Sequence, residues 1–426
     1  MRRFRSSRPG RVFYGWWIVG IGFLFDAVKG GTYNTGFTLY FLPVLTEMHL
    51  SRAATSLPFS LARLEAALGG PLVGHLLDRF DLRVILAAGT LFAGIGLVLL
   101  AFTSSYALFL VVFIGPVSMG FQLGFNQAML AAVNHWFRRR RGLAMAIVQT
   151  GQSIGGVTIF PLVALAVLTL GWRAAAFFSG IGVLLLFPLS LLVRRSPESM
   201  GLLPDGERPA AGGAAATAGP EAGPREFTTR EALRTPEFWL LAAFHSLRNV
   251  PYAGVTVHLV PLLVWKGLDE KTAAIFVGLT ALFTAVVRPI TGWLGDRRSK
   301  QRIGALGAFL GALGLAVLTW GDASVGTLIL FAALFAFGDG INSVTWALVS
   351  DFFGRTHFAS IRGWIGMLQS AASMPAAVFT GWIYDQTQSY THALIAFIVA
   401  YAISGVILWG LASPAASARG PQSRDG

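Results

Sequence analysis

Two stretches, PLVGHLLDR (Pro71–Arg79) and PITGWLGDR (Pro289–Arg297), spell one pattern, P-x-x-G-x-L-x-D-R, 218 positions apart. A second pair, GFNQAMLAAVNHWFRR (Gly124–Arg139) and GINSVTWALVSDFFGR (Gly340–Arg355), recurs 216 positions apart. It superposes Gly124 on Gly340, Asn126 on Asn342, Phe137 on Phe353 and Arg139 on Arg355. Two matched motifs at nearly one offset make the chain an internal duplication, each half repeating the same succession of elements.

Composition says what those elements are. The 426 residues are 54% hydrophobic and only 12% charged, with mean hydropathy +0.63, too little charge to cover a soluble surface. Apolar blocks such as Val84–Phe102, Ala174–Val193, Ile303–Thr319 and Ala393–Leu411 approach the ~20 residues that carry a helix across a bilayer. Turn signals and charge clusters cut the chain into helices one to twelve, at roughly 13–41, 53–77, 83–103, 106–136, 143–169, 173–193, 237–265, 271–295, 303–320, 325–353, 363–385 and 391–412. The fold class is an all-α membrane protein with twelve transmembrane helices in two six-helix, pseudo-symmetric halves. Residues 1–195 and 236–426 are the two bundles. Between them, 196–235 reads as a cytosolic linker whose centre, PAAGGAAATAGPEAGP, has a flexible Pro/Gly/Ala composition.

The net charge of +13 invites a nucleic-acid reading, but its placement is a topology signal. With both termini cytosolic, most of the 33 Lys and Arg fall inside, and outer loops keep Arg52, Arg173, Lys266 and Lys271. The basic start, MRRFRSSRPGR, leads into an apolar stretch too long for a signal peptide, and so into an uncleaved first helix. There is no cysteine, which removes disulfides and thiolate metal sites. Neither a nucleotide-binding loop nor H-E-x-x-H nor G-x-S-x-G occurs, so an enzyme is not expected, nor a cofactor or resident metal.

The duplicated halves resemble the major facilitator superfamily over the whole length. GHLLDRFDLR (Gly74–Arg83) is similar to that superfamily's loop signature between helices two and three, departing at Asp81 where glycine is usual. The resemblance implies a conformational latch at Gly74, Asp78 and Arg79, repeated at Gly292, Asp296 and Arg297. Further features are YGWWIV (Tyr14–Val19), GWR (Gly171–Arg173), SPESMGLLPDG (Ser196–Gly206), TPEFWLL (Thr235–Leu241) and RPITG (Arg288–Gly292). As an ordered set they resemble the bacterial monocarboxylate transporters and the oxalate/formate antiporters.

Charges near mid-span cost ~2.5–3.5 kcal/mol each on insertion scales and mark function by default. They are Asp26 and Lys29 in helix one, Arg63 and Glu65 in helix two, Arg248 in helix seven, Arg288 in helix eight and Asp339 in helix ten. Arg288 corresponds to Gly70 of the first half, so it departs from the shared scaffold, as a substrate residue would. The alternative is snorkelling to the headgroups. The resemblance makes Arg288 the carboxylate-binding residue, and a guanidinium fork grips a carboxylate bidentately. Lys29 and Arg248 are secondary cations, although Lys29 lies three residues after Asp26 and the two can neutralise one another. Arg248 heads a polar stripe with His245, Asn249 and Tyr252. Asn126, Gln122, Tyr33 and Asn342 complete the candidate substrate-binding set.

The familiar relatives carry an acid one turn before the helix-eight arginine. This chain has Thr284 there, so Asp26, Glu65 and Asp339 become the proton-coupling candidates. Helix eleven has no cation beyond Arg362, which weighs against dicarboxylate exchange. The reading is a monomeric secondary active transporter, by alternating access, of a small organic monocarboxylate of the lactate or pyruvate type. It is a proton-coupled symport in a bacterial plasma membrane (a cell inner membrane), with the carboxylate, the proton and the lipid bilayer as partners and no nucleic acid. Its rivals are a major facilitator antiporter or exporter of another organic anion or drug, and a non-transporting membrane sensor.

Overall fold

The computed structural model describes residues 13–34, 36–48, 52–206 and 226–411. The basic N-terminal stretch, the low-complexity centre of the linker and the side chains of Arg63 and Lys271 lie outside the described residues. Among the described residues the regular structure is helical throughout, and no strand occurs. Seven stretches are long and apolar enough to cross a membrane by length and composition. The longest, Arg141–Leu192, holds helices five and six, which part at Gly171, where φ is +84°. Most other residues would be strained there.

The chain divides into two compact units, Met1–Glu221 and Ala222–Gly426. In the first, helix one packs along helix five and helix three along helices four and six. Small residues permit this. A Cβ on Gly155 of helix five would strike the backbone of Ala27 in helix one, and one on Gly89 would strike Gly124. Apolar helices gain little from association in lipid, so close backbone approach supplies their van der Waals contact. In the second unit, helix eight packs on helix ten, helix seven on helices eleven and twelve, and helix nine on helices ten and twelve.

Local irregularities fall at corresponding places in the repeats. Helix four breaks at Phe125 (φ −120°, ψ −116°) and resumes at Asn126. Helix ten breaks at Ile341 and resumes at Asn342. Helices one and four each contain a wide π-helical turn, Gly30–Asn34 and Phe113–Ser118. Pro116 in the latter cannot donate to the ladder, and such wide turns cluster at functional sites.

The ends of the linker segment are built into the units. The Asp205 carboxylate accepts the backbone N–H groups of Arg138, Arg139 and Arg140 after helix four, at 2.8, 2.7 and 3.3 Å. Glu226 does the same for Arg355 and Thr356 after helix ten, each at 2.9 Å. These are repeat-equivalent loops, each with amide donors past a helix end that require acceptors. Asp81, the departure from the loop signature, has φ −65° and caps helix three by accepting the N–H of Arg83 at 3.0 Å. No left-handed backbone is needed there, so glycine is dispensable.

Candidate substrate site

In the second unit three charged residues meet. Arg288 is 8% exposed, Arg248 2% and Asp339 4%. Arg288 Nη2 donates to Asp339 Oδ2 at 2.6 Å, and Arg248 Nη1 lies 3.9 Å from Oδ1. Arg288 therefore does not snorkel; its head turns inward to an acid on helix ten. Arg248 is anchored besides, with Nη1 on the Gly338 carbonyl at 3.0 Å and Nη2 on Asn342 Oδ1 at 2.9 Å. The Thr291 hydroxyl donates to the Gly340 carbonyl at 2.7 Å. The two carbonyls beside the helix-ten break are thus satisfied by helices seven and eight, which fixes the break where Asp339 sits. Among the described residues of this cluster two cations face one anion.

The first unit answers with the opposite sign. Asn126 Nδ2 donates to Asp26 Oδ2 at 2.8 Å, and Asp26 is 2% exposed. The repeat asparagines thus do the same job with reversed polarity. Each follows its helix break and binds a buried charge on the first helix of its half, an acid through its amide N–H or an arginine through its carbonyl. An amide can serve either because it carries both donors and acceptors.

The remaining candidates separate. Lys29 ends the α-helical part of helix one and is half-buried. Gln122 is half-buried one turn before Asn126 and takes no part in these bonds. Tyr33, on the wide turn of helix one, stacks on Phe121 with ring centroids 4.7 Å apart and donates to Ser118 Oγ at 3.0 Å. Ser118 in turn hydrogen-bonds Glu65. The helix-seven stripe makes interhelical contacts: His245 stacks on Trp346 at 4.1 Å, Asn249 donates to Ser373 at 3.1 Å, and Tyr252 stacks on Phe335. Of the loop residues, Gly74 and Gly292 are buried while Arg79 and Arg297 are exposed. Arg297 lies over the Trp293 ring at 4.0 Å. Arg195 donates to the Asp78 carbonyl, and Asp296 is half-buried.

The sequence reading did not foresee Thr291 as a ligand of the helix-ten break, nor Ser118 as the link between Tyr33 and Glu65. Hydroxyl residues in apolar helices carry no local mark of the partner they reach.

A family model for the Major Facilitator Superfamily matches residues 28–377. The chain belongs to the major facilitator superfamily. Monocarboxylate transporter 13 of Rattus norvegicus is 27% identical over 402 residues, covering 93% of this chain and 88% of that one. The oxalate:formate antiporter of Oxalobacter formigenes is 26% identical over 424 residues, covering 91% and 90%. Among solved structures, the E. coli fucose:proton symporter matches with a TM-score of 0.69 at 14% identity, over 93% of this chain and 98% of its own, a likeness of fold. Members of this superfamily are multi-pass membrane proteins that move small molecules and are not enzymes, and this chain is such a transporter.

Proposed function

We propose that this transporter moves a small organic monocarboxylate together with a proton, by alternating access, as a monomer in a plasma membrane with both termini cytosolic. The observation that carries the reading is the buried Arg288–Asp339 pair with Arg248 beside it. A site with two cations and one anion attracts a cargo carboxylate, which Arg288 binds through its guanidinium fork. The relatives named for monocarboxylate transport support the cargo class. Thr284 stands where an acid precedes the arginine in the familiar relatives, and Asp339 supplies that acid from helix ten instead. Protonation of Asp339 releases Arg288 to the incoming carboxylate, which couples proton to cargo. Arg248 holds the helix-ten break and adds positive potential. Asp26 with Asn126, and the loops around Asp78 and Asp296, serve the conformational change.

Exchange of organic anions is a second reading, favoured by Arg248 as a second buried cation and by the relative named as an oxalate:formate antiporter.

The deciding experiment is uptake of labelled lactate and pyruvate into proteoliposomes, with and without an inward proton gradient, for wild type and Arg288→Gln. The expected result is gradient-stimulated uptake, with kcat/KM lowered at least about thirtyfold by the substitution, from ~2 kcal/mol or more for a truncated buried charge contact. Uptake indifferent to the substitution overturns the assignment. Uptake that requires a counter-anion inside and ignores the gradient favours exchange.

A further inference from the structure

Three acids lie near mid-span, and the charged pair of the second unit and the amide of Asn126 account for two of them. The third, Glu65 in helix two, is built differently. It is half-buried and lies 14 residues from Arg79 at the end of helix two, about 21 Å along the axis at 1.5 Å per residue. That depth is near mid-membrane. Helix two packs there against the wide turn of helix four.

The hydrogen bonds around Glu65 run in one direction. The Tyr33 hydroxyl donates to Ser118 Oγ at 3.0 Å, so the Ser118 hydroxyl proton is left to serve the Glu65 carboxyl, to which Ser118 is bonded. One side of the carboxyl is thereby satisfied. The other oxygen, Oε2, is shielded from solvent and has no hydrogen-bond partner among the described residues. Tyr33 is held by stacking on Phe121 and Phe113, at 4.7 and 6.1 Å. Tyr33 and Ser118 sit on the two π-helical turns of helices one and four, so both irregularities converge on this one carboxyl. An unmet buried acceptor forfeits its hydration without replacement, so a donor that reached this oxygen would be bound favourably.

We infer that Glu65, positioned by Ser118 and Tyr33, is a subsite that accepts a hydrogen bond from a hydroxyl group of the cargo. In its ionised form this oxygen acceptor repels a second carboxylate and has nothing to offer a ketone oxygen, whereas an O–H group meets its need. The inference rests on the monocarboxylate reading and narrows it. Among small monocarboxylates the preferred cargo is a hydroxy acid such as lactate, ahead of the oxo acid pyruvate. It requires only that the cargo meet Glu65 during its passage.

The test is the ratio of kcat/KM for lactate to that for pyruvate in proteoliposomes, for wild type, Glu65→Gln, Glu65→Asp and Arg288→Gln. Glu65→Gln presents an amide that also donates, so the ratio should fall at least about tenfold in pyruvate's favour, since sites built to hydrogen-bond a hydroxyl discriminate strongly. Glu65→Asp keeps the acid but is one methylene shorter. It should lower lactate transport more than pyruvate transport, and it keeps the question answerable if the glutamine variant does not fold. A ratio unchanged by both variants, with transport still dependent on Arg288, overturns the subsite and leaves the monocarboxylate reading standing. Wild type that carries neither acid overturns both. Wild type that prefers pyruvate, or the zwitterion alanine, overturns the hydroxyl assignment alone.

Discussion

Replacing Asp339 by Asn keeps the shape of the side chain and removes the charge that two arginines share. Arg288 lies 2.6 Å and Arg248 3.9 Å from the carboxylate oxygens. All three residues are less than a tenth exposed, so water cannot take over. Breaking a buried ion pair on one side costs about 3–5 kcal/mol because the partner charge is stranded. The amide oxygen of the substituted side chain would still accept one hydrogen bond from Arg288, which places Asp339→Asn near the lower end, about 3 kcal/mol. Arg288→Gln leaves Asp339 facing Arg248 alone and should cost a similar amount. The double variant should cost less than the two together by about 2 kcal/mol, within the range of coupling between contacting groups. The assay is unfolding of the four proteins in one detergent, repeated with lactate present. In Asp339→Asn the lactate carboxylate replaces the missing charge, so lactate should stabilise this variant more than wild type. At 100 times its Kd a ligand returns about 2.7 kcal/mol, close to what the substitution removed. Single substitutions that each cost under about 1 kcal/mol and simply add would refute the buried pair as an energetic unit. Equal stabilisation of wild type and variant by lactate would refute the claim that cargo and Asp339 compete for Arg288.

Two further expectations concern packing and the cytosolic loops. Gly155→Val places a Cβ against the Ala27 backbone, which cannot yield as a side chain can. Folded yield and melting temperature should drop beyond the usual ~1–3 kcal/mol of overpacking, while Gly20→Ala, where nothing lies within 4 Å, should be neutral. At Glu226, burial pushes the carboxyl up, but the N–H groups of Thr356 and Arg355, the Thr356 hydroxyl and the Arg355 charge outweigh it, so its pKa lies below the usual carboxylate value. A depressed folded pKa means that its stabilisation is complete above the unfolded value, about 4.3, and is lost as pH falls through the folded one. The hydrogen-exchange protection of Arg355 and Thr356, relative to the intrinsic exchange rate at each pH, should therefore fall in acid in wild type, and should already be low at neutral pH in Glu226→Gln. Equal exchange in both proteins at neutral pH would remove Glu226 as the clamp of that loop.

The membrane class, the duplication and the residues whose burial is expensive are all legible in the amino-acid order, because each is written in local quantities: hydropathy over ~20 residues, a repeated motif, a charge inside an apolar run. It also placed Arg288, Arg248 and Asp339 within spans. It did not pair them. Arg288 and Asp339 are 51 positions apart and Arg248 and Asn342 are 94 apart, and no local rule selects one helix face against another across such distances. It took the folded chain, not the pattern, to show that the acid serving Arg288 comes from helix ten. Only it showed that the repeat asparagines bind charges of opposite sign, and that Ser118 joins Tyr33 to Glu65. Helix rotation settles these matters, and in a bilayer that rotation follows from where small residues allow backbones to meet. At Gly155 and Ala27, and at Gly89 and Gly124, close packing sets the faces, and the polar side chains find their partners as a consequence.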